Sequence, residues 1–213
     1  MSGKFFYIAV LVPASVLLPI CVAGLTYKRL ERPQKAIFFY LIFAGIVDGV
    51  SSYMSVHRIG NLWLLHVYTA VETVMLLWFY RSILVNGQVK RVIDYLMVLF
   101  PLVCAANIIW GQGMLRYNTY TRPVEALILI YMGLTCFFER SQAPVDSRLG
   151  LQKAISWFNA GILLYFSAAF FIFIFSNYLV HGNAFSLFII VCHATFVLLM
   201  YVLFTIGFLQ CRN

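Results

Sequence analysis

The chain has 213 residues, of which 63% are hydrophobic and only 10% are charged, and its formal net charge is +8. A soluble domain of this size needs a largely polar surface and is usually about a quarter charged, so a mean hydropathy of +0.91 excludes an ordinary soluble domain. Lipid is therefore the predicted solvent for most of the surface, and the sequence predicts an all-α polytopic membrane protein.

Seven continuous apolar runs, separated by short polar segments, follow one another along the chain. A helix needs about 20 apolar residues to cross a bilayer, and only helices or closed barrels satisfy their backbone groups in lipid. Because the runs are continuous rather than alternating, we predict helices and not strands. The chain is expected to form one domain, residues 1–213, with transmembrane helices at approximately 5–25, 36–56, 62–84, 92–110, 122–138, 154–176 and 184–209.

The basic residues are distributed unequally between the two sides of this predicted bundle. Eleven of the fifteen Lys and Arg residues lie in or beside the loops after the first, third and fifth helices, or in the C-terminal tail. Cytoplasmic loops are enriched in Lys and Arg. We therefore predict that the N-terminus is outside and the C-terminus is cytoplasmic. The first run is followed by the basic stretch 28–32, so we expect it to be retained as a span rather than cleaved.

The positive charge does not indicate a nucleic-acid partner. The Lys and Arg residues flank apolar runs, where such residues orient a membrane protein and contact anionic lipid head groups, and no separate basic domain is present. We expect the lipid bilayer to be the principal partner and no nucleic acid to be bound; an oligomer is compatible with the sequence. Aromatic residues near helix ends, such as Trp63, Tyr80 and Tyr117, are predicted to form interfacial belts.

Three carboxylates fall inside the predicted spans. Asp48 lies in the second span, Glu72 in the third, and Glu125 in the first turn of the fifth, close to Arg122. An ionisable residue inside a span is expensive and is a functional hypothesis by default. At about 1.5 Å of rise per residue, all three carboxylates lie in the outer half of the membrane or near its midplane.

Helical periodicity brings further polar residues onto the same faces as two of these carboxylates. The second and third helices are joined by only five residues, 57–61, so they are predicted to be antiparallel neighbours whose polar faces meet. We infer a polar pocket open to the outer side and bordered by the second, third, fifth and seventh helices. The predicted pocket or ligand-binding residues are Asp48, Ser52, His66, Thr69, Glu72, Arg122, Glu125 and His193.

Three functions are compatible with such a pocket. The first is binding or transport of a small molecule or a lipid head group. The second is an intramembrane hydrolase that acts on lipid, with or without a metal. The third is a sensory or scaffolding subunit whose polar groups fix the helix packing. The sequence assigns no catalytic residue and leaves open whether the chain is an enzyme; a metal, if bound, would take its nitrogen and oxygen ligands from Asp48, His66, Glu72 and His193.

No cofactor is predicted. A retinal protein needs a lysine inside the bundle for its Schiff base, and all five lysines lie at helix ends or in loops. The glycine-rich phosphate-binding motifs and the nucleophile elbow of hydrolases are also missing from the sequence.

The stretch Asn-Leu-Trp-Leu-Leu-His-Val-Tyr at 61–68, followed by Glu72, resembles a segment of small bacterial seven-helix membrane proteins. Trp157 and Tyr165 in the sixth helix are similar to the same group, and the resemblance extends over most of the chain. It implies a seven-helix fold, and we expect the protein in the bacterial inner (cytoplasmic) membrane. The group has no assigned activity, so the resemblance implies none.

Overall fold

The computed structural model describes residues 6–142, 149–175 and 184–210. Over these ranges the chain contains helices and no strand, and seven helices are long and apolar enough to cross a membrane. The prediction of an all-α chain with seven spans is confirmed, and the helices indicate an integral membrane protein. They are α1 (Tyr7–Leu25), α2 (Arg32–Val56), α3 (Leu62–Ile83), α4 (Gly87–Gly111), α5 (Thr121–Gln142), α6 (Leu149–Phe175) and α7 (Ala184–Leu209).

Two helices begin several residues before their apolar runs because polar side chains cap their first turns. At the start of α2, the backbone N–H of Glu31 donates to Oε1 of Gln34 at 2.7 Å, as part of a capping box. At the start of α4, Oδ1 of Asn86 accepts from two backbone N–H groups of the first turn. Residues 5 and 176, at the ends of the first and sixth predicted spans, lie outside the described residues.

Six of the helices enclose the interior of the bundle. α1 contacts α2 and α7, α3 contacts α2 and α5, and α6 contacts α5, α7 and α2. α4 packs mainly against α3 and therefore lies at the periphery. The residues at the centre come from α2, α3, α5, α6 and α7.

The bundle has two ends, which we call upper and lower. The upper end carries the start of α1 and the connecting segments 57–61 and 112–120, and the lower end carries the segments 26–31 and 84–86. That the upper end faces the outside stays a prediction from the distribution of basic residues.

In the lower half, aromatic rings pack directly against glycines. Phe158 of α6 is fully buried, and its ring centroid lies 5.7 Å from that of Phe204 and 4.8 Å from that of Phe208. A Cβ added at Gly161 would lie 2.8 Å from the Phe204 ring, and one added at Gly207 would lie 2.6 Å from the Phe158 ring. Because small residues let membrane helices approach closely, these two glycines set the spacing of α6 and α7.

The prediction of an interfacial position is wrong for Tyr80. Its side chain is fully buried, and its hydroxyl donates to Oδ1 of Asn159 at 2.9 Å. Nδ2 of Asn159 in turn donates to the carbonyl oxygen of Gly133 at 3.0 Å. The phenol therefore finds its hydrogen-bond partner on α6 instead of in the head-group region, since a buried hydroxyl needs a partner.

Candidate functional site

Arg122 joins two carboxylates in the upper half of the bundle. Its Nη1 lies 2.5 Å from Oε2 of Glu72 on α3 and 2.8 Å from Oε2 of Glu125 on its own helix. The side chain of Arg122 is 8% exposed, and those of Glu72 and Glu125 are 1% and 0% exposed. Ionised groups this deep are stable only when paired. We call these three residues the ion cluster.

The second oxygen of each carboxylate also accepts hydrogen bonds. Oε1 of Glu72 accepts from the hydroxyl of Tyr40 at 2.8 Å and from that of Tyr68 at 2.9 Å. Oε1 of Glu125 accepts from the hydroxyl of Thr73 at 2.7 Å. The ion cluster thus binds α2, α3 and α5 together, and both of its carboxylates use both oxygens.

The segment before α5 fixes where that helix begins and hence where its arginine lies. Oδ1 of Asn118 accepts from the backbone N–H of Thr121 at 3.2 Å and from its hydroxyl at 2.6 Å, and so caps α5. Nδ2 of Asn118 donates to Oγ1 of Thr69 at 3.2 Å. One turn higher on α3, Nε2 of His66 lies 3.0 Å from the carbonyl oxygen of Arg116.

A cavity of about 330 Å³ lies beside the ion cluster and is lined by α2, α3, α5, α6 and α7. It extends to Asn61 and Tyr117, which belong to the connecting segments at the upper end. Its only charged lining residues within the described ranges are Asp48 and Arg122. A volume of about 300 Å³ or more is typical of small-molecule pockets.

Two polar side chains in the cavity wall have polar atoms that find no partner in the part of the chain that the structure describes. Asp48 is half-buried, and it forms no hydrogen bond or ion pair with any residue that the structure describes. Nδ1 of His193 is buried and has no hydrogen-bond partner among the same residues. The His193 ring packs beside Tyr165 and Phe173, with centroids 5.5 and 5.9 Å away. The carboxylate of Asp48 is therefore available to a ligand, and Nδ1 of His193 is a buried acceptor without a partner in the same wall.

Five of the eight predicted site residues come together around this cavity. Asp48, Arg122 and His193 line it directly, and they come from three different helices. Glu72 and Glu125 lie behind the cavity wall and reach it through their shared arginine. The five residues come from four helices, α2, α3, α5 and α7, which converge here. Only Arg122 and Glu125 are neighbours within one helix.

The other three predicted residues lie in different surroundings. His66 and Thr69 hold the segment before α5, as described above, and they do not line the cavity. Ser52 is exposed and borders a mainly apolar groove of about 450 Å³ between α1 and α2. Asp48 lines this groove as well as the cavity. The aspartate therefore lies between the cavity and the groove.

The four candidate metal ligands do not converge. Within residues 6–142, 149–175 and 184–210, no group of three or more His, Cys, Asp or Glu side chains could hold a metal ion together. His66 is directed to a loop carbonyl, and Glu72 is surrounded by two tyrosines and an arginine. The metal-dependent form of the hydrolase hypothesis therefore has no ligand set in this part of the chain.

Tyrosines are the functional residues that sequence reasoning misses. Tyrosine in a membrane helix is typical of the interface, so the sequence does not assign it to the pocket. Tyr68 could have been found from the sequence, because it lies one helical turn before Glu72 and therefore on the same face of α3. The structure places five tyrosines in the cavity wall: Tyr40, Tyr68, Tyr117, Tyr165 and Tyr201.

Comparison of the chain with protein-family models, with curated proteins and with solved structures finds no match.

Proposed function

We propose that this protein binds a small molecule or a lipid head group in the cavity beside the ion cluster, as a binding or transport protein of the membrane. The observation that carries the proposal is Asp48, an acidic side chain inside a span that lines a cavity and has no partner among the described residues.

The contrast with the ion cluster supports this proposal over a purely structural one. Glu72 and Glu125 stabilise the fold, since each accepts hydrogen bonds with both oxygens and pairs with Arg122. Asp48 makes none of these contacts, yet a carboxylate within a membrane helix costs about 3 kcal/mol by insertion scales. A residue that costs stability and holds nothing together is best explained by an occupant of the cavity.

The surroundings of Asp48 support both kinds of ligand. The cavity reaches the connecting segments at the upper end, which gives a polar small molecule a route from water. The groove between α1 and α2 is mainly apolar and meets the cavity at Asp48, which suits a lipid whose head group enters while its chain stays in the groove. The upper end is the side that we predict to be outside.

The proposal is tested by filling the cavity. Val197 lies in the cavity wall on α7, and Val98 is 66% exposed on the peripheral helix α4. Wild-type protein, Val197→Trp and Val98→Trp would be purified in lipid nanodiscs. Their Tm would then be measured against a panel of anionic, cationic, zwitterionic and neutral polar compounds and lipids.

We expect at least one class of compound to raise the Tm of the wild type and of Val98→Trp, because a ligand at a hundred times its Kd stabilises the folded state by about 2.7 kcal/mol. The same compound should leave the Tm of Val197→Trp unchanged. A stabilising compound that acts equally on Val197→Trp would place the site elsewhere, and a panel without any effect would contradict binding.

A further inference from the structure

We infer that the ligand of this cavity carries an ammonium group, either as a free organic cation or as the head group of a lipid. The inference rests on the proposed function and adds the chemical class of the ligand. It follows from the charges around the cavity, from the rings in its wall and from the acceptors that its wall contains.

The charges around the cavity are unbalanced. Three carboxylates, those of Asp48, Glu72 and Glu125, surround one guanidinium, that of Arg122, which leaves a formal charge of −2. Asp48 and Arg122 line the cavity and Glu72 and Glu125 lie behind its wall, and no other charged residue in the described part of the chain lines it. Because charges interact strongly away from bulk water, this excess attracts a cation and repels an anion.

An anionic ligand would have to compete for the one cationic group. Nη1 of Arg122 is already shared between Glu72 and Glu125, at 2.5 and 2.8 Å. A carboxylate or phosphate that approached the guanidinium would therefore meet two negative charges that are bonded to it. The geometry disfavours recognition of an anion, although an arginine lines the cavity.

The wall of the cavity suits a cation because it is rich in electron-rich rings. Five tyrosines line it, and ammonium groups bind over the faces of tyrosine rings in aromatic cages. The site already stabilises one cation in this way. The guanidinium carbon of Arg122 lies 4.6 Å from the ring centroid of Phe173 and 5.3 Å from that of Tyr68.

The unpartnered polar groups of the wall are acceptors for an ammonium ion. The carboxylate of Asp48 accepts hydrogen bonds, and Nδ1 of His193 accepts one in the tautomer that carries its proton on Nε2. A protonated amine in the cavity donates to the carboxylate of Asp48 while its alkyl portion contacts the rings. The ammonium group forms the ion pair with Asp48 that no side chain of the described residues forms.

The reactivity of single introduced cysteines tests the charge preference of the cavity directly. In a background without native cysteines, Val197→Cys reports on the cavity and Gly60→Cys reports on the exposed segment at the upper end. Each variant is treated with the cationic reagent trimethylammonioethyl methanethiosulfonate and with the anionic reagent sulfonatoethyl methanethiosulfonate. The ratio of the two rates at Gly60→Cys corrects for the intrinsic difference between the reagents.

We expect the corrected ratio of cationic to anionic rates at Val197→Cys to be about tenfold or more, as is typical when a cleft of one charge attracts its counter-ion. Adding Asp48→Asn should lower this ratio by about threefold or more, because it removes one of the negative charges. Asp94→Asn is the matched control, since Asp94 pairs with Arg81 on the surface of the bundle and should leave the ratio unchanged.

The outcomes separate this inference from the proposed function. If Val197→Cys reacts equally fast with both reagents, the cavity is accessible but the ligand is not selected as a cation, and the inference is overturned. If Val197→Cys reacts with neither reagent while Gly60→Cys reacts with both, the cavity is closed to water-soluble molecules. That result would contradict the proposed binding of a small molecule from water.

The source of the ammonium group is decided by Tm measurements in nanodiscs of phosphatidylglycerol. Choline and ethanolamine should raise the Tm if the ligand is a free cation, and the carbon isostere of choline, which has no charge, should not. If the ligand is a lipid, nanodiscs of phosphatidylcholine or phosphatidylethanolamine should raise the Tm instead, and this gain should be lost in Asp48→Asn. Equal Tm values under all of these conditions would contradict the inference.

Discussion

In the lower half of the bundle, aromatic rings pack tightly against glycines of α6 and α7, whereas the upper half contains an ion cluster and a cavity beside it. Around Gly207 and Gly161, rings of α6 and α7 fill the space that side chains would otherwise occupy. Around Arg122, polar groups from three helices meet in the interior, and about 330 Å³ beside them are left open. The same seven-helix scaffold therefore stabilises its two halves by different physical means.

This difference separates the residues that hold the fold together from those that are available to a ligand. In the lower half, α6 and α7 are held by close packing of rings against glycines, where an added atom has no space. In the upper half, stability comes from the ion cluster, which tolerates no missing partner. Asp48 belongs to neither arrangement, and this is why we assign it to ligand binding.

The largest effect should follow from removing the cation of the ion cluster. Arg122→Met leaves two buried carboxylates next to each other, so we expect a loss of about 3–5 kcal/mol in the free energy of unfolding. The measurement is unfolding by denaturing detergent. Arg81→Met is the control, because the ion pair of Arg81 with Asp94 is about half exposed and such pairs contribute about 1 kcal/mol or less.

A variant that replaces all three charges keeps this prediction testable if Arg122→Met does not fold. Arg122→Met combined with Glu72→Gln and Glu125→Gln contains no uncompensated charge at the cluster, and it should recover part of the lost stability. A loss of stability in Arg122→Met no greater than that in Arg81→Met would show that the ion cluster does not hold the upper half together.

A smaller effect is expected from overfilling the packed half. Gly207→Ala places a Cβ 2.6 Å from the Phe158 ring, which is itself fully buried, and overpacking of this kind costs about 1–3 kcal/mol. Gly49→Ala is the control, because an added Cβ there meets no atom of the described residues within 4 Å, and alanine favours a helix over glycine by about 1 kcal/mol. Unfolding of both variants in parallel measures the difference.

The same pair of variants sharpens the comparison between the two halves. Gly207→Ala should lower the stability while leaving the corrected ratio of cationic to anionic rates at Val197→Cys unchanged, since it lies in the other half of the bundle. A Gly207→Ala variant as stable as Gly49→Ala would mean that α6 and α7 separate easily and that the lower half is not tightly packed.

The smallest effect should follow from removing one hydrogen bond of the ion cluster. Thr73→Val deletes the hydroxyl that donates to Glu125 at 2.7 Å, and hydrogen bonds between membrane helices contribute about 0.6 kcal/mol on average and up to about 2 kcal/mol. Thr135→Val is the control, because that hydroxyl donates to the carbonyl oxygen of Tyr131 within its own helix. Equal stability of the two variants would contradict the contribution of Thr73 to the cluster.

The fold was largely predictable, and the errors have local causes. Hydropathy finds all seven spans because lipid imposes a length and a composition on every helix. It places the start of α2 too late because Glu31 and Gln34 extend the helix into a polar turn. It misplaces Tyr80 because a phenol near the end of a span has the same sequence signature whether it faces head groups or Asn159.

The site was predictable only in part. Carboxylates inside spans are recognised from the sequence as candidate site residues because burying them in a membrane costs free energy. The spacing of Arg122 and Glu125 predicts their contact within one helix. The hydrogen bond from Arg122 to Glu72 joins two residues that are 50 positions apart in the chain and lie on different helices. No pattern of neighbouring residues predicts such a contact. For the same reason the sequence grouped His66 with the pocket, although the structure directs it to the carbonyl oxygen of Arg116.

The sequence by itself determined that the chain is helical, that it has seven spans and that acidic groups lie within them, because each of these properties depends on neighbouring residues and on the surrounding lipid. The tertiary structure decided which acids are paired and which one faces a cavity. That choice depends on how α2, α3, α5, α6 and α7 converge, and it separates Asp48 from Glu72 and Glu125. The physical reason is that the pairing of buried charges depends on distances between helices. The spacing of residues along one helix does not determine those distances.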